Sequence, residues 1–403
     1  MDFDITSFLL IVAAAMLAPL ITAAVGRVAP FPLVVVELLL GILIGPQVLG
    51  LAELDQLASF FGALGLAFLF LFAGYEIEFE RIRGAPLRLA LAGWGISLAL
   101  AYSISGVLHA TGVVISGLLT GSAMATTAIG TLMPILRDAK LLPTHFGRLL
   151  LAAGAVGELG PILLITLLLS GNSDELTNAL VLAGFVVVVV VTATAAVRTP
   201  DRFWHFARRS MLTSGQLPVR LTVALLIALV ALAQDFGLDL ILGAFAAGVI
   251  VNLVLRQRED DAEELGFEHR PREVFEIKLD ALGYGFAIPA FFITSGMAFD
   301  LDSLLDDAGA MLKVPLFLVL FLVVRGAPAL LLYRDELPRL RERAGLALFS
   351  ATQLPLVVAI TAIGVDTGHM RASTAAALVG AAILSTLLFP LLATHAARTA
   401  RAA

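Results

Sequence analysis

The sequence predicts an all-α polytopic membrane protein, and three observations carry that reading. Hydrophobic residues make up 59% of the 403-residue chain and charged residues only 14%, where a soluble protein carries about 25% charged residues. The mean hydropathy is +0.97. The apolar residues fall in blocks of about 20, the length at which a helix crosses about 30 Å of hydrocarbon. A polar coat large enough for a soluble enzyme or a nucleic-acid binder is missing, so function rests on the few polar groups inside the apolar blocks. The absence of cysteine excludes a disulfide framework, thiol redox chemistry and cysteine-ligated metal. The net charge of −6 carries little weight, because membrane proteins sort charge by side.

Apolar blocks and polar breaks give about 13 transmembrane helices. The first six are α1 (5–24), α2 (31–49), α3 (57–77), α4 (85–110), α5 (113–136) and α6 (147–170). A connecting helix, α7 (177–197), leads to α8 (218–234), α9 (236–255), α10 (277–299), α11 (311–333), α12 (343–364) and α13 (372–394). The leader of α1, Met1-Asp2-Phe3-Asp4, is acidic where a cleaved signal has a basic flank. The expectation is that α1 stays as a span.

With these crossings the loops alternate between two sides. The N-terminus shares one side with Glu53 and Asp55, Asp174 and Glu175, Asp235 and Asp239, and Asp302 to Asp307. The other side collects Arg81, Arg83 and Arg88, then Arg137, Lys140 and Arg148, then the cluster from Arg198 to Arg220. It also takes Arg256 to Arg272, Arg334 to Arg343, and Arg398 and Arg401. Of 26 Lys and Arg residues, only Arg371 falls on the acidic side, and Lys313 and Arg325 lie inside spans. The positive-inside rule then predicts an integral cell-membrane protein with its N-terminus outside and its C-terminus in the cytoplasm.

The two halves repeat each other in order. Leu40-Gly41 of α2 matches Leu242-Gly243 of α9. Phe70-x-x-x-Gly74-Tyr75-x-Ile77-Glu78 of α3 matches Phe292-x-x-x-Gly296-Met297-x-Phe299-Asp300 of α10. Ala125-Thr126-Thr127 of α5 matches Ala351-Thr352-Gln353 of α12. Six helices return the chain to its starting side and α7 carries it across, so the second six-helix repeat is inverted relative to the first. Inverted repeats with broken helices crossing at the midplane are a transporter signature.

The polar groups inside spans locate a site. Glu158 sits near the middle of α6 in Gly154-Ala155-Val156-Gly157-Glu158-Leu159-Gly160-Pro161. A carboxylate there costs several kcal/mol unless it is paired, protonated or wet. It is read as an ion or proton site, against the plainer reading of a protonated structural group. Arg325 lies deep in α11 and needs an anion or a water cavity. Glu158 is the candidate partner, and snorkelling toward the cytoplasmic face is the alternative. Lys313 is near enough to a span end to snorkel. Ser122, Thr126, Thr127 and Thr131 on α5, with Ser350, Thr352, Gln353 and Pro355 on α12, suit locally unwound helices whose oxygens coordinate a cation. Such hydroxyls also simply bond their own preceding turn. Glu37 in α2 either lines the inner funnel or contacts a neighbouring helix. The histidines form no ligand cluster and no phosphate-binding loop is present, so no cofactor, ATP use or nucleic-acid partner is expected.

These residues carry a family resemblance. The chain resembles the monovalent cation:proton antiporter superfamily, in the branch of potassium-efflux-type and sodium/proton exchangers, across essentially all spans. The local elements are Glu37-Leu38-Leu39-Leu40-Gly41 through Gly45-Pro46, Phe72-Ala73-Gly74-Tyr75-Glu76, and Thr126-Thr127-Ala128-Ile129 through Leu136-Arg137-Asp138. The second half adds Leu242-Gly243-Ala244-Phe245 through Gly248, Phe291-Phe292 through Gly296-Met297, and Ser350-Ala351-Thr352-Gln353-Leu354-Pro355-Leu356. The resemblance implies a homodimer with elevator-like alternating access. Its dimerisation segments would be 1–56 and 218–274, its ion-binding core 57–170 and 275–403, and its connector 171–217. It also implies that α6 carries a polar residue followed by an ion-binding aspartate. Here those positions are Gly157 and Glu158, so the first polar group is missing and the second carboxylate is one methylene longer. Arg325 matches the basic residue that relatives set against this motif. Many relatives append a cytoplasmic nucleotide-binding domain. The chain ends at Ala403, so the expectation is that such regulation would need a separate subunit.

The resulting expectation is a secondary antiporter exchanging protons for a monovalent cation, Na+ or K+. Glu158 binds the cation or a proton, Thr126, Thr127 and Thr352 supply neutral oxygens, Arg325 is the charge partner, and Glu37, Gln353 and Ser122 are secondary candidates. With Gly157 untitratable and Arg325 fixed in charge, one carboxylate serves both ions, which predicts electroneutral exchange. A gated potassium-efflux pathway, a non-transporting sensor on the same fold and an organic-substrate carrier are the competing readings.

Overall fold

The structure, a computed structural model, describes residues 4–25, 32–76, 82–169, 175–211, 213–263, 271–305 and 308–402. Ile77, Glu78, Arg81, Asp174, Arg270, Asp306 and Asp307 from the motifs and loops above lie outside the described residues. All regular secondary structure among the described residues is helical, with no strand among them. Among the described residues, eleven helices are long and apolar enough to cross a bilayer.

That is two fewer than the spans read from the sequence, and each difference has a local cause. Helix α2 is short, Leu33–Ile44. Pro32 stands at its N-cap, and Gly45-Pro46 ends it, because a proline ring cannot continue the backbone ladder. Helix α5 is two pieces, Gly117–Met124 and Ile129–Asp138. Helix α12 is likewise divided, into Leu340–Ser350 and Pro355–Asp366, but as a whole, Leu340–Asp366, it is still one of the eleven. The other spans are α1 (Ile5–Val25), α3 (Gln56–Tyr75), α4 (Ala85–Ala110), α6 (His145–Leu169), α7 (Glu175–Val197), α8 (Leu217–Asp235), α9 (Leu240–Glu263) and α13 (Ala372–Ala402). Helix α10 runs from Pro271 to Met297 through a π-turn at Gly283–Ala287, and α11 from Ala308 to Leu332 through a second π-turn at Leu322–Gly326. A short amphipathic helix, Asp201–Ser210, stands between α7 and α8.

The chain divides into two compact units. The first comprises Met1–Ala58, Glu78–Ile165 and Phe292–Ala403, and the second Ser59–Ile77 and Thr166–Phe291. In the first, a dry core of Leu132, Leu136, Leu149, Leu150, Leu346 and Phe349 joins α5, α6 and α12. Here α2 and the end of α10 meet backbone to backbone. A Cβ built on Gly296 would lie 2.1 Å from Leu38 O, and one on Gly41 2.1 Å from Ile293 O. In the second unit α3 and α9 meet the same way: a Cβ on Gly74 would lie 2.1 Å from Phe245 O, and one on Gly248 2.0 Å from Leu71 O. Gly243, which the sequence pairs with Gly41, faces α8 at Leu229 instead. Such contacts need glycine because any side chain would hold the backbones apart.

Candidate ion site

Helix α5 begins on a Ser116 side-chain cap that accepts from Leu119 N–H at 3.2 Å. It stops at Met124, where Thr126 and Thr127 offer hydroxyls that compete for backbone groups. Helix α12 stops at Ser350 and restarts with Pro355 in its first turn, where the missing N–H costs nothing. The two unwound segments bind each other. Ala128 N–H donates to Thr352 O at 2.9 Å. The Thr127 hydroxyl donates to Ser350 O at 2.6 Å, and the Gln353 amide donates to Met124 O at 2.9 Å. Freed carbonyls at two half-helix ends are thus answered from the opposite chain segment.

Helix α6 joins through a carbonyl that its own sequence frees. Gly157 O would normally accept from the residue four positions on, which is Pro161 and has no N–H. It accepts from Thr127 N–H instead, at 3.0 Å. Glu158, the next residue, is buried with 5% of its surface exposed.

Arg325 is carried into the same place by the π-turn of α11, a device often found at functional sites. It is 4% exposed. Nε and Nη2 donate to the Thr127 hydroxyl oxygen at 2.9 and 2.7 Å, Nη1 donates to Ser97 Oγ at 3.3 Å, and Nη2 donates to Ala153 O at 3.2 Å. The guanidinium therefore bridges α4, α5, α6 and α11. A Cβ on Gly157 would lie 2.3 Å from Arg325 Nη2. The volume that a side chain at position 157 would need is filled by the guanidinium. Thr127 Oγ1 donates once and accepts twice, which uses its full capacity.

The other expected residues fall as follows. The Thr126 hydroxyl donates to Ala123 O at 2.9 Å, and the Thr352 hydroxyl to Leu348 O at 3.1 Å. Both keep acceptor lone pairs. Ser122 Oγ pairs with Tyr102 OH at 3.1 Å. Gln353 is fully buried and clamped: its N–H donates to Ser385 Oγ, and its carbonyl accepts from Ser385 and Thr386 hydroxyls. Its Oε1, like Ser350 Oγ, is buried with no hydrogen-bond partner among the described residues. Glu37 is buried on α2, and no described hydrogen bond links it to this network.

Trp94, whose indole N–H donates to Ala125 O at 3.3 Å, and Ser97, Tyr102, Ser385 and Thr386 are participants that the sequence reading passed over. For Ser97 a signal existed. Ala90, Gly93, Ser97, Ala101 and Ser105 are the buried residues of α4, a small-residue stripe of the kind that faces a neighbouring helix. Ser385 and Thr386 had only their polarity in an apolar run to mark them.

The profile of the sodium/hydrogen exchanger transmembrane family matches residues 12–395. A Bacillus subtilis protein, YjbQ, is 26% identical over 381 residues, covering 89% of this chain and 58% of its own length. The Na(+)/H(+)-K(+) antiporter GerN of Bacillus cereus is 24% identical over 367 residues, covering 89% of this chain and 88% of GerN. The chain thus spans somewhat over half of the first relative and most of the second. Among solved structures, the sodium proton antiporter MjNhaP1 from Methanocaldococcus jannaschii shares the fold. The TM-score is 0.65 with 18% identity, over 97% of this chain and 96% of that one.

Proposed function

The chain belongs to the sodium/hydrogen exchanger transmembrane family, and on that premise we propose that it is a secondary antiporter exchanging protons for Na+ or K+. The observation that carries the reading is the meeting of two unwound helices against α6 at Gly157, one residue before the buried carboxyl of Glu158. Half-helix ends and freed oxygens beside a membrane carboxyl form a site for a small cation. GerN, named for Na+, K+ and H+, supports that choice of ions.

In this reading Glu158 holds the cation or a proton. Thr126, Thr352 and Gln353 Oε1 offer neutral oxygens, and Ser122 stands one turn away on α5. Thr127 acts as a bridge, since its hydroxyl is fully used. Arg325 holds the bridge and sets positive charge against α6. The ion-holding part is assigned to α4–α6 and α11–α13, because every residue of the network lies on them. The matching glycine contacts of α2 with α10 and of α9 with α3 support the inverted repeat, with Gly248 rather than Gly243 answering Gly41. A homodimer, elevator-like alternating access and a cytoplasmic C-terminus complete the proposal.

Proteoliposomes loaded with a pH-reporting dye test it. Addition of Na+ or K+ should release or take up protons, and Glu158→Gln should abolish the signal in a folded protein, because an amide cannot exchange a proton. Glu158→Asp should keep part of the activity with altered cation affinity. A single carboxyl predicts a proton:cation ratio of one-to-one and a reversal point insensitive to voltage, whereas a moved charge would couple at about 2.3 kcal/mol per 100 mV. Cation flux without proton flux would instead select the efflux-pathway reading.

A further inference from the structure

The second unit contains a pocket of about 320 Å3, within the size range of small-molecule sites, about 300–1,000 Å3. Four spans and the short helix Asp201–Ser210 wall it: Ala196 of α7, Phe203 and Trp204 of the short helix, Leu221 of α8, Val254 of α9 and Phe275 of α10. Its two hydroxyl-bearing residues turn their polar atoms away. Thr199 Oγ1 donates to Ala195 O at 3.1 Å and Thr222 Oγ1 to Pro218 O at 3.0 Å, each on its own helix. What the pocket offers is hydrocarbon, which excludes an ion or a sugar and suits an alkyl chain.

The rim has the opposite character. Arg198 precedes the lining residue Thr199, Arg202 precedes Phe203 and Arg220 precedes Leu221, and all three arginines are exposed. On the short helix Arg202, Phe206 and Arg209, all exposed, share one face, while the pocket-lining Phe203 and Trp204 and the buried Ala207 stand away from it. Two arginines flanking an exposed aromatic ring suit a helix lying in a membrane interface, with the arginines toward headgroups. The segment 257–270, which includes the last turns of α9, is dominated by charged residues, so the sequence offers no apolar stretch of its own there.

We propose that this pocket holds one acyl chain of an anionic phospholipid whose phosphate is met by Arg198, Arg202 and Arg220. The site lies outside the ion network and does not depend on the antiport reading. It makes the link between α7 and α8 a lipid-reading element.

Native mass spectrometry of the full chain, released from nanodiscs of mixed phosphatidylglycerol and phosphatidylcholine, tests it. The expected result is one tightly retained lipid with phosphatidylglycerol strongly preferred. Leu221→Trp, which fills the pocket from its wall, should abolish retention, with Leu225→Phe as a milder filling variant should tryptophan disturb folding. Arg198→Gln and Arg202→Gln should keep the retained lipid but lower the preference by about fivefold each. Equal retention of the two lipids overturns the proposal, as does retention unchanged by both filling variants. Retained detergent in place of lipid means an adventitious additive only. A filling variant that changes the oligomeric state without touching lipid retention assigns the pocket to an interface between copies.

Discussion

At residue 157 the space a side chain would need is already taken: its Cβ would meet Arg325 Nη2 at 2.3 Å and Thr127 Oγ1 at 2.7 Å. Neither neighbour is free to withdraw, since the guanidinium is held by Thr127, Ser97 and Ala153 and the threonine by Ser350. Gly157→Ala should therefore destabilise the fold by about 1–3 kcal/mol, the range of core overpacking. It should also depress exchange, because the bridge over α6 must shift. A thermal melt in detergent and a dye assay on the same preparation measure both, and an unchanged midpoint would show that Arg325 yields easily. The sequence made Glu158 and Arg325 legible as deep charges, and Thr127 as a residue of the break. It could not show that the guanidinium rests on a threonine hydroxyl, because Thr127 and Arg325 are 198 residues apart. The proline that frees Gly157 O was in plain view at Pro161. Its effect was not, since the carbonyl's new partner lies on another helix.

Helices in this protein approach each other through backbone, and the tolerance for added atoms varies steeply along them. Gly296→Ala would drive a methyl to 2.1 Å from Leu38 O, where only backbone can give way. The expected cost is at or above the upper end of about 1–3 kcal/mol. Gly95→Ala on α4 meets nothing within 4 Å and should be neutral or stabilising by up to about 1 kcal/mol through helix propensity. Unfolding midpoints of the two variants, measured side by side, should move in opposite directions or differ by several degrees. The turn after α10 adds a pH-dependent element. Asp300 caps the helix Leu301–Leu305, accepting from Ser303 N–H at 2.9 Å and from Gln47 Nε2 at 3.2 Å. Partial burial pushes its carboxyl up, but the bonds from Ser303 and Gln47 outweigh burial and hold it below the ordinary value of 3.8. A carboxyl that is the stronger acid when folded stabilises fully above about pH 4 and loses that contribution as pH falls through its folded value. Melts of wild type and Asp300→Asn should thus differ most near neutral pH and converge toward pH 3. At this scale the broken α5 and α12 were legible from clustered hydroxyls and Pro355. The π-turns of α10 and α11 were not, since apolar periodicity does not register one extra residue in a turn.

For the whole molecule, the strongest global signal in the sequence was the sorting of arginines between alternate loops. It predicts sidedness without reference to any site. The chain has no cysteine, so a single introduced thiol reports one position without background. Asp55→Cys should react with an impermeant maleimide added outside intact cells, and Ser210→Cys only after permeabilisation. A reversed pattern would invert the orientation, and reaction of both from one side would remove the odd number of crossings between them. Overall architecture was legible because each span declares itself in about 20 apolar residues. The division into two units was not, because α2 joins α10 in one unit and α3 joins α9 in the other across long stretches of chain. Pairings of that range depend on where glycines face, and a glycine in a list of letters does not show its face.

The crossing of α5 and α12 also sets a clock. Thr127 and Ser350 are separated by 223 residues, which a ribosome adds in about 10–45 s at about 5–20 residues per second. Through that interval Ala128 N–H and Met124 O already exist, while their partners Thr352 and Gln353 have not been made. Exposed backbone at membrane depth survives only in contact with water or protein. The first half of the nascent chain must therefore wait, wet or chaperoned at its break, until the second half arrives to close it.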